Sequence, residues 1–236
     1  MVNLLLIIYK KIFGKLISSG LIRTKTFVVN GNKIKFHDIK KNNLLKSIAI
    51  NGFESHENET IKLIKNYKWR MNNFYDIGSN VGAYTLLASK VVGARSFSYE
   101  PLPDTFDRFI EQININCISE LVFAKNIGIA EKKGVLEFTN NLNCMNHVNT
   151  DSSNKYVTPV EVTTLDSEHI NPQSCLVKID VEGYELNAIA GGERFFKSSS
   201  VAAVITGGGN EQQKLTDLGF FAVYYDPISR TITKPD

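Results

Sequence analysis

The sequence has three cysteines in 236 residues, Cys117, Cys144 and Cys175, and no two share the C-x-x-C spacing. Zinc-ribbon and thioredoxin-type chemistry are excluded with that spacing. An odd number of widely separated thiols points to reduced side chains in a cytoplasmic protein, each read as a small buried apolar residue. No apolar run approaches the ~20 residues that a membrane span needs. No charged segment precedes the apolar run at residues 4–9, which argues against a secretory signal. Arginine-rich stretches and basic residues interleaved with aromatics are missing. The net charge of +3 comes largely from scattered lysine, so no nucleic-acid partner is expected. Internal repeats, low-complexity tracts and Pro/Ser linkers are missing too.

What remains is a globular composition. Hydrophobic residues make up 43% and charged residues 22%, which rules out a disordered or fibrous chain. The length suits one α/β domain with an N-terminal extension, enough to bury a core without disulfides or a structural metal. The first residues have their own pattern. Leu5, Tyr9, Ile12, Leu16 and Ile17 share a helical face flanked by Lys10, Lys11 and Lys15. This helix is expected to dock on the protein's own core or on a partner; the other reading is weak membrane-surface contact through residues 4–17.

Alternation over residues 26–38 predicts a hairpin turning at Asn30-Gly31-Asn32, and Ile61, Leu63, Ile64 and Tyr67 predict a helix over 57–67. Residues 1–70 therefore read as a helix/hairpin extension and 71–236 as the main domain. Within the latter, strands are expected near 74–77, 95–100, 121–124, 175–180 and 201–206. Helices are expected between them at 83–92, 104–116, 185–196 and 211–218. Extra strands are expected at 134–139 and 157–163, with a closing C-terminal antiparallel hairpin. Strands alternating with helices predict a doubly wound, mostly parallel α/β sheet covered on both faces.

Three segments carry the chemistry, each at the carboxyl end of a predicted strand, where open α/β sheets bind ligands. The first is Asp76-Ile77-Gly78-Ser79-Asn80-Val81-Gly82. Gly78 would let backbone approach a ligand, Gly82 would let the next helix start close to it, and Asp76 is expected to face the site as an acceptor. The loop lacks the third glycine of a dinucleotide fingerprint and the Lys-Ser/Thr of a P-loop. Its acceptor-rich character suits an ammonium and a sulfonium better than a pyrophosphate. The second segment is Glu100 in Ser98-Tyr99-Glu100-Pro101, 18 residues after Gly82. An acid at about this distance can accept from both hydroxyls of an adenosine ribose. The third is Lys178-Ile179-Asp180-Val181-Glu182-Gly183-Tyr184-Glu185. Three carboxylates at a strand end would be costly in a core but fit a polar reaction centre. Glu185 is expected to favour the next helix N-terminus instead. The polar stretch 140–154 is a candidate loop over the acceptor, with His147 as its candidate contact.

Taken in order and spacing, the three segments resemble the FkbM family of methyltransferases, whose pattern runs approximately F-x-D-x-G-A-N-x-G, then E-P, then K-x-D-x-E-G-x-E. Glu59-Thr60 and Thr164-Leu165-Asp166 add to the resemblance, which spans roughly residues 50–200. Ser79 stands where the family usually has Ala. Residues 201–209 lack the acid that commonly closes the fifth strand and carry Gly207-Gly208-Gly209 instead.

The resemblance implies a Rossmann-like class I methyltransferase fold, S-adenosyl-L-methionine as cofactor and a hydroxyl acceptor on a small molecule or glycan. Asp76, Gly78, Ser79, Asn80, Gly82 and Glu100 are then the cofactor-binding candidates. Asp180 is the candidate for accepting or orienting the acceptor proton, with Glu182 assisting, and no metal ligand is assigned. Two other readings remain open: a non-catalytic module that binds adenosyl ligands, and an NAD-type dehydrogenase. Oligomeric state is left open.

Overall fold

A computed structural model describes residues 2–52, 58–66, 72–168, 173–207, 209–226, 229 and 231–233. The chain opens with a helix, α1 (Val2–Ser19), followed by a hairpin of β1 (Thr24–Val29) and β2 (Asn32–His37). The hairpin turns on two residues, Asn30 (φ 49°) and Gly31 (φ 78°), with Val29 opposite Asn32. Positive φ at both central positions matches the twist of the flanking strands, which is why Asn-Gly marks such turns. Two helices follow, α2 (Asn43–Asn51) and α3 (Asn58–Asn66). The first was not foreseen from sequence; it starts where the Asn42 side chain accepts from the Leu45 N–H.

The main sheet has five parallel strands: β3 (Asn73–Ile77), β4 (Arg95–Tyr99), β5 (Val122–Lys125), β9 (Cys175–Ile179) and β10 (Val201–Thr206). Their spatial order is β10-β9-β3-β4-β5. The order reverses between β3 and β9, and a doubly wound sheet opens its ligand crevice at that point. Every residue of β3 and β9 is buried, as expected of central parallel strands covered on both faces.

On one face, Tyr75, Phe97 and Phe123 occupy registered positions on three neighbouring strands and stack at 4.9 and 5.0 Å. Phe195 meets Tyr75 edge-on at 5.0 Å. Phe195 comes from α7 (Glu193–Phe196), which together with α6 (Glu185–Ala190) replaces the one helix expected over 185–196. The break falls at Gly191, where a Cβ would stand 1.9 Å from the Ala130 carbonyl oxygen. The opposite face is covered by α4 (Ala83–Leu86), continued as a π-helical turn over Leu87–Val92, and by α5 (Pro103–Ile115).

A second sheet, ordered β6-β8-β7, is built from β6 (Gly128–Ile129), β7 (Gly134–Thr139) and β8 (Val157–Thr163). After α8 (Gln212–Asp217), two short strands, β11 (Tyr224–Asp226) and β12 (Thr231–Thr233), pair antiparallel with each other; among the described residues they form a sheet of their own. Part of the helix expected over 57–67, Gly208, and the side chains of residues 4–9 and Glu59 lie outside the described residues.

The N-terminal elements share the core of the sheet. Ile17, Ile34, Phe36, Leu45, Ile48, Ile61 and Ile64 form one buried cluster with Phe74, Leu86, Phe109 and Leu176. From Lys10 onward α1 docks on this body: Ile17 is fully buried, and Lys10 donates to the Asn51 side chain. Among the described residues, no helix is long and apolar enough to cross a membrane.

The hairpin is joined to α5 by an unusual seam. The Asn116 side chain accepts from Lys35 N–H at 2.8 Å and donates to Lys35 C=O at 2.7 Å. Gln112, four residues earlier, does the same for His37 at 2.8 and 3.2 Å. Two amides one helical turn apart thus imitate a neighbouring strand and close the edge of β2. Both side chains are buried, so truncation would leave backbone groups unpaired. Asn116→Ala is expected to cost about 1–3 kcal/mol of stability, and Gln112→Ala a similar amount, read as a lowered urea midpoint.

Candidate active site

The carboxyl ends of β3, β4 and β9 open into a cavity of about 340 Å³. Of the residues singled out from sequence, Gly78, Ser79, Asn80, Glu100, Asp180 and Glu182 line it.

The loop after β3 is held from below, since the N–H groups of Gly78 and Ser79 both donate to Tyr99 C=O at 3.0 Å. Glu100 then fixes the loop from the next strand. One carboxylate oxygen accepts from Asn80 N–H at 2.9 Å and the other from Leu102 N–H at 3.0 Å. Asn80 takes a left-handed backbone (φ 50°), and its side-chain oxygen accepts from Val81 N–H and from the Asn42 amide. Burial pushes the Glu100 carboxyl up to about 7 against the pull of those two backbone N–H groups. Ser79 Oγ is buried and has no hydrogen-bond partner among the described residues.

The two glycines serve the protein rather than a ligand. A Cβ on Gly78 would lie 2.0 Å from the Asp180 carbonyl oxygen, so Gly78 is where the β9 loop crosses the β3 loop. A Cβ on Gly82 would lie 2.2 Å from the Phe109 ring, so Gly82 lets α5 close against α4; it does not line the cavity.

Asp76 also departs from expectation. It does not face the cavity and is completely buried behind its wall. One carboxylate oxygen accepts from Thr85 Oγ1 at 2.7 Å, and the other is 3.6 Å from the Lys178 ammonium. The reason is strand parity. Asp76 pairs in register with Ser98 on one side and Lys178 on the other, so the three form a polar row on the α4 face of the sheet. Burial raises the Asp76 pKa, and Lys178 works against the rise.

Lys178 does line the cavity, though only 4% of its side chain is exposed. Its ammonium lies 3.2 Å from Asp180 Oδ2 and 5.0 Å from the centre of the Tyr84 ring. The signal for it in the sequence was a lysine inside an otherwise apolar strand, Cys-Leu-Val-Lys-Ile. Asp180 itself is partly open, with 41% of its side chain exposed.

Glu182 is exposed and adopts φ 51°, a left-handed conformation that a side chain rarely takes. Partial desolvation of its carboxyl, then the charges of Asp180 and Glu185, raise its pKa. Glu185 Oε1 accepts from Val181 and Gly183 N–H, so it ties down the loop before the helix rather than capping the helix itself.

Asp180 and Glu182 also line a second cavity of about 300 Å³, whose wall includes Gly207 and Glu211. Glu211, buried in the turn after β10, thus supplies an acid on the side where the fifth strand has none. A Cβ on Gly207 or Gly209 would meet nothing within 4 Å, so no close approach explains those glycines.

His147 does not line the main cavity; its Nδ1 lies 3.0 Å from the Met145 carbonyl oxygen. Its neighbours Asn143, Cys144 and Asn146 line the cavity instead, which puts the polar loop at the site without its histidine. The α2 residues Asn43, Leu44 and Ser47 form another wall, unforeseen because α2 itself was unforeseen. Of the cysteines only Cys175 is fully buried; Cys144 is half-buried at the cavity and Cys117 is exposed. Among the described residues, no three His, Cys, Asp or Glu side chains gather in a way that could hold a metal ion.

Sheet order, loop and strand-end carboxylate together define a Rossmann-like domain of the class I methyltransferase type. Residues 76–216 match the Methyltransferase FkbM domain, and the chain belongs to that family. It is 30% identical over 138 residues to the hexuronic acid methyltransferase AglP of Haloferax volcanii, covering 57% of this chain and 56% of that protein. The chain thus spans little more than half the length of this curated relative. Among solved structures it is similar to a methyltransferase FkbM from Methylobacillus flagellatus, with 15% identity, a TM-score of 0.42, and coverage of 57% of this chain and 32% of the other. A SAM-dependent O-methyltransferase from Thermotoga maritima gives 12% identity and a TM-score of 0.41, covering 76% and 60%.

The raised carboxyl of Glu100 gives the site a pH signature. A group that holds its proton more tightly when folded stabilises the fold at low pH. That contribution is lost as pH rises from the unfolded value of 4.5 through about 7. The urea midpoint is therefore expected to fall more steeply between these pH values in the wild type than in Glu100→Gln.

Proposed function

We propose that this protein transfers a methyl group from S-adenosyl-L-methionine to a hydroxyl of a sugar or glycan. The observation that carries the reading is Glu100, a buried carboxylate at the end of β4 that lines the cavity beside the Gly78 loop. Each Glu100 oxygen spends one lone pair on a backbone N–H, which leaves acceptor capacity on both for a pair of ribose hydroxyls. The Ser79 hydroxyl in the same wall, without a partner among the described residues, is a further polar group for a ligand to satisfy. A cavity of about 340 Å³ is in the size range of cofactor sites. The residues present therefore fit the cofactor.

The dinucleotide alternative fits less well. Where its fingerprint needs a glycine for close pyrophosphate approach, Asn80 fills the loop with a side chain bonded to Val81 and Asn42. Membership of the family and the sugar acid named for the Haloferax volcanii relative support a sugar hydroxyl as the acceptor.

When bound, S-adenosyl-L-methionine supplies an electrophilic methyl carbon. The chain's own work is to hold, align and deprotonate. Glu100 and the 78–80 loop hold the adenosyl portion, and the walls exclude bulk water from it. Asp180 accepts or orients the proton of the acceptor hydroxyl as its oxygen becomes alkylated, with Glu182 beside it. Asp180 lines both cavities and so stands between a donor site and an acceptor site. Alignment of the two reactants there supplies much of the rate.

Calorimetric titration with S-adenosyl-L-methionine, and separately with NAD, tests the reading. Saturable binding of the first, lost in Glu100→Ala, is expected; NAD binding in its place would overturn it. Asp180→Asn is expected to lower turnover on a hexuronate acceptor by about 10²–10⁴-fold while leaving donor affinity intact. Donor binding with no turnover on any sugar would point to the non-catalytic binding module.

A further inference from the structure

We infer that Lys178 is a positioning residue that clamps the Asp180 carboxylate in its working orientation, with buried Asp76 as its anchor. The role rests on the function proposed above, but the contact that carries it stands independently of that function.

A lysine within a fully buried strand must be paired, because an isolated ammonium cannot stay charged in an apolar interior. Lys178 has a carboxylate on either side. Asp76 is its registered cross-strand neighbour on β3, completely buried and itself fixed by Thr85. Asp180 lies two residues beyond Lys178, just past the end of β9, with its Oδ2 3.2 Å from the ammonium. The Tyr84 ring lies against the ammonium and gives it a third favourable neighbour. The cation is therefore held by the core from one side and holds Asp180 from the other.

The backbone of Asp180 is fixed as well. Its N–H donates to Ile77 C=O at 3.0 Å, and its carbonyl is packed where Gly78 has no Cβ. What remains free is the side-chain torsion, and Lys178 removes that freedom by engaging Oδ2. Oδ1 is then the oxygen presented to an acceptor proton. A catalytic carboxylate needs its orientation fixed by neighbours of this kind, since small misplacements are costly in rate.

Removing Lys178 alone leaves Asp76 buried without a cation and endangers the fold. The test therefore uses Lys178→Met combined with Asp76→Asn, alongside Lys178→Arg and Asp76→Asn alone. Crystal structures of each, calorimetric titration with S-adenosyl-L-methionine, and methylation of methyl glucuronoside are compared with wild type. In the double variant the Asp180 carboxylate is expected to leave its wild-type rotamer. Turnover is expected to fall by about 10–100-fold with donor affinity and acceptor KM little changed. Lys178→Arg is expected to keep the rotamer and recover most of the turnover. An Asp180 side chain that stays in place in the double variant would overturn the inference. So would a loss of turnover matched by an equal loss of donor binding. Asp76→Asn alone, which loosens the anchor but keeps the ammonium, is expected to lose less turnover than the double variant, and a loss in it that leaves the Asp180 rotamer unmoved would overturn the inference too. If the wild type binds no S-adenosyl-L-methionine, the proposed function fails, and the Asp180 rotamer still decides whether Lys178 is its clamp.

Discussion

A positive charge inside a parallel sheet is the constraint around which the site is organised. Lys178 ends a polar row that runs across three adjacent strands, with Asp76 beside it and Ser98 beyond. Burying such a group costs several kcal/mol unless partners surround it. Asp76 meets that cost only because Thr85 descends from α4 to satisfy its other oxygen. The position of α4 is set in turn by the loop that Glu100 holds. Sheet register, helix placement and loop geometry are thus tied to one buried ion pair.

Glu100 plays the complementary part at the next strand end. A buried carboxylate raised to about 7 is a costly group to maintain, and its two backbone contacts offset only part of the burial. Its retention makes physical sense at a place where a ligand can contribute further donors. Sites that keep such groups trade stability for binding. The two glycines of the loop belong to the same arrangement. They make room for Asp180 and Phe109, so the loop, the β9 turn and α5 meet at van der Waals distance.

The N-terminal elements are part of this body rather than an ornament on it. Their apolar side chains complete the core on the α4–α5 face, and the Asn116–Gln112 seam closes the exposed edge of the hairpin. Through α2 they also form a wall of the cavity. Asn42 connects the two roles: its oxygen starts α2, and its amide donates to Asn80 in the cavity loop. What binds in the cavity is therefore shaped in part by residues that precede the sheet.

Much of this was legible in the order of residues. Alternating strands and helices gave the doubly wound sheet because periodicity reports burial directly. Asn30-Gly31 gave the hairpin because only a few residues tolerate positive φ. The spacing from Gly82 to Glu100 marked a strand-end acid facing the loop because a βα unit has a nearly fixed length. Tertiary structure alone decided which side chains face the cavity. Asp76 reads as an acceptor in the site, yet the parity of β3 turns it into the sheet, against Lys178 and Thr85. The short α2, the close approach of the Ala130 carbonyl to Gly191 where α6 gives way to α7, and the burial of Glu211 depend on contacts between residues far apart in the chain. Local pattern fixes which elements form; strand register and the approach of distant backbone fix where each charge can be placed, because a buried charge persists only where a partner from another element meets it.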